Sequence, residues 1–178
     1  MQRMDLTFQH DRTLNNQGVA VNDVNVQVRV KSPPSEIWKI WSNFSEAPLW
    51  DTDVSRCELN GPFQAGTRGQ CILKNGLTMP LKLEAVKMHE SYRNTARLLW
   101  IDLEFDHRMH RLSPDETQVV HSAKISGRLS FLYRGLLRKL LTAAMTSALD
   151  NLCTLAEQRA KAISPPGLEE PGTHLHPV

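Results

Sequence analysis

Two histidines stand on neighbouring predicted strands, His107 in "FDHRMHRL" and His121 in "TQVVHSAKI". Adjacent strands can turn such residues into one cavity, where a buried imidazole stays neutral and can give or take a proton. The simpler role for each is that of a partly buried histidine hydrogen-bonded to a neighbour, because no nucleophile, base and orienting group can be read around them. His110 follows His107 by three positions. On a strand that spacing sends the two side chains to opposite faces, so they cannot chelate one metal. His174 and His176, in "HLHP", belong to a proline- and glycine-rich tail, where metal sites are seldom built. Neither a metal nor any other cofactor is expected. Among the acids, Asp51 and Asp53 flank an expected exposed turn, while Glu104 and Asp106 share a strand face and can anchor an arginine. Structural roles suit all four.

Three of the four tryptophans, Trp38, Trp41 and Trp50, lie close together in "SPPSEIWKIWSNFSEAPLWD". Trp38 and Trp41 join Ile37, Ile40 and Phe44 on one wide apolar stripe, as core anchors of a short helix do. Trp50, after Pro48, is expected to line a pocket. Gly61, Gly66 and Gly69 in "GPFQAGTRG" lack the Lys and Ser/Thr before a helix that a phosphate-cradling loop requires. They read as turn glycines.

These residues need elements to position them. "VNVQVRVK" alternates Val24, Val26, Val28 and Val30 with polar residues and predicts a half-buried strand. "SPP" opens a helix over residues 33–44, with Ser32 as cap and Pro33 in the first turn. "SEAPLW" predicts a second short helix. Strands are expected near 54–60, 67–74, 77–88, 95–103, 104–112 and 117–127, joined by short turns as an antiparallel meander. After Gly127 one long helix places Tyr133, Leu137, Leu141, Ala144, Ala148, Leu152 and Leu155 on a single face. Residues 1–21 read as an extension, 22–163 as the domain, and 164–178 as a disordered tail. One long helix across a curved sheet cannot fill the concavity with backbone. The space must hold large side chains or a ligand.

The chain has 178 residues, 40% hydrophobic and 22% charged, enough for one domain with a sizeable core. A formal charge of +2 from mixed signs gives no nucleic-acid footprint. "MQRMDLTFQHDRTLNNQG" lacks the apolar run of a secretory signal. Cys57, Cys71 and Cys153, widely spaced and without a CxxC pair, read as free, buried thiols of a reducing compartment, hence a cytoplasmic protein. Arg134, Arg138 and Lys139, beside apolar residues at the start of the long helix, suit either a solvated face or transient contact with an anionic membrane.

The order of elements, with "VNVQVRVKSPPSEIWKIWSNFSEAPLWDTDV", "LNGPFQAGTRGQC" and "FDHRMHRLSPDETQVVHSAKISG" before the long helix, resembles the START-like or SRPBCC superfamily. Within it the likeness is to the polyketide cyclase/dehydrase and lipid transport group, across residues 22–162. The resemblance implies an α+β helix-grip fold, a curved antiparallel sheet wrapped on a long C-terminal helix with two short helices after the first strand. It also implies a cavity that binds or carries a hydrophobic small molecule or lipid. The alternative it implies is a cofactor-free cyclase or dehydratase using His107 and His121 on an enolisable, polyketide-like ligand. Expected ligand contacts from the long helix are Leu137, Leu141, Ala144, Met145 and Ala148. From the sheet they are Met79, Leu81, Trp100, His107, Met109, His121 and Ala123, with Trp50 at the entrance.

Overall fold

The computed structural model describes residues 23–98, 100–128 and 130–163. The expected extension 1–21 and the tail 164–178, with His174 and His176, lie outside the described residues. Strand β1 spans Val24–Val30, helix α1 Pro34–Ser42, and a 3-10 helix Phe44–Leu49. Strands β2 (Val54–Leu59), β3 (Arg68–Leu73), β4 (Thr78–Lys87), β5 (Ser91–Leu98), β6 (Ile101–Ser113) and β7 (Glu116–Ser126) follow, then helix α2 over Ser130–Ile163.

The seven strands form one antiparallel sheet in the order β1-β7-β6-β5-β4-β3-β2. Strands two to seven are a meander, and β1 closes against β7 with Val24 opposite Ala123 and Val30 opposite Thr117. Register shifts at Val54/Arg56, Leu83/Ala85 and Arg111/Ser113 bend their strands and help curl the sheet. The curled sheet grips α2, which packs along β1, β7 and α1. This is the helix-grip arrangement.

The entry to α1 differs from expectation in one turn. Pro33 is the N-cap and Pro34 the first helical residue. Ser32 instead turns inward, fully buried, and its carbonyl accepts a 2.7 Å hydrogen bond from the Thr117 hydroxyl. Two prolines pre-set the helical start without any side-chain cap.

The β5–β6 boundary also shifts. β5 begins at Ser91 rather than 95, and the turn falls at Trp100 rather than beyond 103. Gly127 abuts this turn: its φ is +109°, and a Cβ there would meet the Trp100 carbonyl at 2.3 Å. Only glycine admits both the conformation and the contact.

Two other expectations change, and two residues of the basic cluster gain a structural role. Cys57 and Cys71 are direct partners across β2 and β3 and are joined as a disulfide, so of the three thiols Cys153 alone is free. The cysteines therefore no longer argue for a reducing compartment. Arg134 donates to the Ile125 carbonyl and pairs with Asp23, and Arg138 donates to the Asp23 carbonyl. Arg134 thus ties both the start of β1 and the end of β7 to α2, Arg138 only the start of β1, and both stay on an exposed face. Tyr133, expected on the buried face of α2, is 51% exposed. Among the described residues, no helix is long and apolar enough to cross a membrane.

The two halves of α2 are packed differently. Leu149, Leu152, Cys153 and Ala156 are buried in the main core with Val30, Trp38 and Trp41, whereas Leu132, Leu136 and Leu140 are exposed. Leu152→Ala is therefore expected to cost about 2–5 kcal/mol. Leu136→Ala should stay within about 0.5 kcal/mol. Urea unfolding measures both, and equal losses would show that α2 is anchored along its whole length.

Candidate functional site

Between the sheet and the first half of α2 lies a cavity of about 500 Å³, a size typical of small-molecule sites. α2 contributes Leu137, Leu140, Leu141, Ala144, Met145 and Ala148. β5 contributes alternate residues, Tyr92, Asn94, Ala96 and Leu98, as strand geometry requires. β6 adds Leu103, Phe105 and His107 by the same rule, and β7 adds His121. The far wall carries Met79 and Leu81 with the Cys57–Cys71 pair. The helical segment after β1 supplies Trp41, Phe44 and Trp50.

Ten of the thirteen expected contacts line this cavity: Trp50, Met79, Leu81, His107, His121, Leu137, Leu141, Ala144, Met145 and Ala148. Three do not. Trp100 is 67% exposed on the β5–β6 turn, because that turn falls earlier than expected. Met109 is buried in the main core with Val119, and Ala123 packs with Val24 and Met145. The sequence reading missed Tyr92 and Asn94 because residues 91–94 were assigned to a turn. The alternation from Ser91 to Leu98 is the signal that would have found them. It also missed that Asp51 and Asp53 border the cavity; Asp53 is exposed as expected, whereas Asp51 is half-buried. Glu104 and Asp106 do engage arginines, Arg93 and Arg108.

At the buried end the aromatic rings make a box. Tyr92 stacks on His107 at 4.0 Å between centroids and an interplanar angle of 7°. His121 meets His107 edge-on at 4.4 Å. Trp41 lies 5.4 Å from Tyr92 and under 6 Å from both histidines, and Trp50 closes the box 6.0 Å from His121. Trp41 thus does more than anchor the core. Trp38 packs away from the cavity on Phe63 and His89. The Trp41 Nε1, Trp50 Nε1, His107 Nδ1 and His121 Nε2 atoms are buried without a hydrogen-bond partner among the described residues.

Burial sets the electrostatics. It lowers His107 to about 3, only partly offset by a hydrogen bond with the Tyr92 backbone. His121 lies well below its ordinary value, from burial and then from His107 beside it. Both are neutral at ordinary pH and too weakly basic to be good proton acceptors near neutrality. Tyr92 is pushed well above its ordinary value by burial and by Asp51. Asp51 is raised by burial to about 6, against the Asp53 amide donating to its carboxylate at 3.3 Å. Of these groups, Asp51 alone changes charge near neutrality. Among the described residues no cluster of ligating side chains could hold a metal.

These shifts have opposite consequences for stability. Below about 6.5 the unfolded histidines take up protons that His107 and His121 refuse when folded. Stability therefore falls toward acid, by roughly 1.4 kcal/mol per pH unit for each histidine. Asp51 acts the other way between about 6 and 3.8, because the folded state keeps a proton that the unfolded state releases. Urea unfolding from pH 7 to 4 should show a net decline that Asp51→Asn steepens below pH 6. A variant profile parallel to wild type would show that Asp51 ionises normally.

No curated protein matches the sequence. Among solved structures, the chain resembles the Zhui aromatase/cyclase from Streptomyces sp. R1128 with a TM-score of 0.66 at 15% identity, covering 76% of this chain and 93% of that one. A START superfamily protein from Mycobacterium smegmatis gives a TM-score of 0.56 at 14% identity, over 79% and 98% of the two chains. A norcoclaurine synthase point mutant from Thalictrum flavum gives 0.59 at 15%, over 76% and 94%. At such identities the likeness is one of fold. The sequence itself matches the family described as polyketide cyclase/dehydrase and lipid transport over residues 22–157. With its gripped helix and enclosed cavity, the chain belongs to that family.

Proposed function

We propose that this protein encloses a hydrophobic small molecule or lipid between α2 and the concave face of the sheet, as a binding or carrier module. The supporting observation is the cavity itself, about 500 Å³ and walled largely by Leu, Ala, Met and aromatic side chains. Burial of ligand methylenes there contributes about 0.8 kcal/mol each. The exposed Leu136, Leu140 and Trp100 lie toward the end of the sheet where α2 begins, an apolar approach to the opening.

Two of the structural relatives are named as enzymes, an aromatase/cyclase and norcoclaurine synthase. A catalytic reading therefore stands second. The observation that favours it has moved from the two histidines to Asp51, whose ionisation near 6 suits proton transfer at neutral pH. Turnover of a substrate would then show an inflection near pH 6 that Asp51→Asn abolishes. An unchanged profile would remove Asp51 from the chemistry.

For the binding reading, N-phenyl-1-naphthylamine serves as a neutral fluorescent probe. Saturable enhancement is expected with the wild type. Ala144→Trp, which fills the cavity from the middle of α2, should weaken it by about tenfold or more without lowering Tm. Unchanged binding in that variant would place the probe elsewhere and refute enclosure.

A further inference from the structure

The cavity wall changes character along its length. On β5, Leu98 and Ala96 lie toward the β5–β6 turn, and Asn94 and Tyr92 lie toward the start of the strand. β6 follows in register: Leu103 sits opposite Ala96, Phe105 opposite Asn94, and His107 opposite Tyr92. α2 begins at the same end of the sheet as the β5–β6 turn, so Leu137 and Leu140 belong to the apolar end and Ala148 to the polar one. The apolar end is the open one, with Leu140 57% exposed, whereas Tyr92, Asn94 and His121 are 2%, 7% and 2% exposed.

The buried end is under-satisfied. Its two histidine and two indole nitrogens lack partners. Among the described residues, neither the Tyr92 hydroxyl nor the Asn94 amide group makes a hydrogen bond. The four ring nitrogens are closed off, but Tyr92 and Asn94 line the cavity, where their unpaired polar groups can meet a partner that the described residues do not supply. The charges nearby restrict that partner. Asp51 contributes negative charge and both histidines are neutral. The cavity-lining cation Lys74 lies on the β3–β4 turn, at the open end with Asp53.

We propose that the ligand enters with a neutral, oxygen-bearing head (a phenol, enol or ketone) that meets Tyr92 and Asn94 at the buried end. Its apolar part then lies toward Leu98, Leu137 and Leu140. The inference rests on the enclosure of a hydrophobic ligand and adds its head-group chemistry and its direction.

Calorimetric titration with naphthalene, 2-naphthol and 2-naphthoate, which share one ring system, tests it. The neutral 2-naphthol should bind about tenfold tighter than either of the others. In the near-isosteric Tyr92→Phe and Asn94→Leu variants, its advantage over naphthalene should shrink while naphthalene affinity holds. Naphthalene binding as tightly as 2-naphthol overturns the head-group inference and leaves enclosure standing. So does tightest binding of 2-naphthoate with loss in Lys74→Ala, which would mean a head-out, anionic ligand. Binding of none of the three overturns enclosure and this inference together.

Discussion

A helix is straight on the scale of a curled sheet, so it can lie against the sheet along only part of its length. Here the contact falls on the second half of α2, where Leu149, Leu152 and Ala156 are buried against Val30 and the α1 tryptophans. The first half stands off, and Leu137, Leu141 and Ala144 are only half-buried. The cavity is the space that this mismatch leaves. Its floor depends on the anchored half, since the same core cluster that seats Leu152 also contains Trp41, Trp50 and Tyr92. Packing and site therefore share side chains.

That sharing explains the condition of the histidines. His107 and His121 sit among aromatic rings, and a low-dielectric surround disfavours the charged imidazole. Rings packed edge to face also have few ways to move. The box is thus held in place by the fold, and its polar atoms are fixed before any ligand arrives. Such preorganisation spares a ligand the cost of ordering its own site.

The elements legible in the sequence were those with a strong period or strong punctuation. β1 announced itself by four alternating valines, α1 by its prolines, and α2 by its 3.6-residue stripe. The β5–β6 turn did not. It falls within "RLLWID", an apolar run without glycine, proline or asparagine, so residues that read as strand became turn and the reverse. That misplaced turn put Trp100 on the wrong side of the wall, while a β4–β5 turn expected to run too far hid Tyr92 and Asn94. The cysteine pair escaped for another reason. Cys71 comes fourteen positions after Cys57, and only the β2–β3 register brings them face to face. Asp51 was misread because its turn is indeed exposed at Thr52 and Asp53, and Asp51 alone is drawn partly inside.

The pairing of β1 has a consequence for the chain as it is made. β1 and β2 follow one another in sequence yet lie at opposite edges of the sheet, and among the described residues the only strand bonded to β1 is β7. Val30 cannot meet Thr117, nor Val24 meet Ala123, until the whole meander has left the ribosome. Until then the valine strand is an unsatisfied edge, open to pairing with any other extended chain nearby. The meander can start to assemble from its own hairpins, because each successive pair is local. Docking of β1 must wait for the last strand, and the helix that covers the finished seam follows directly after it.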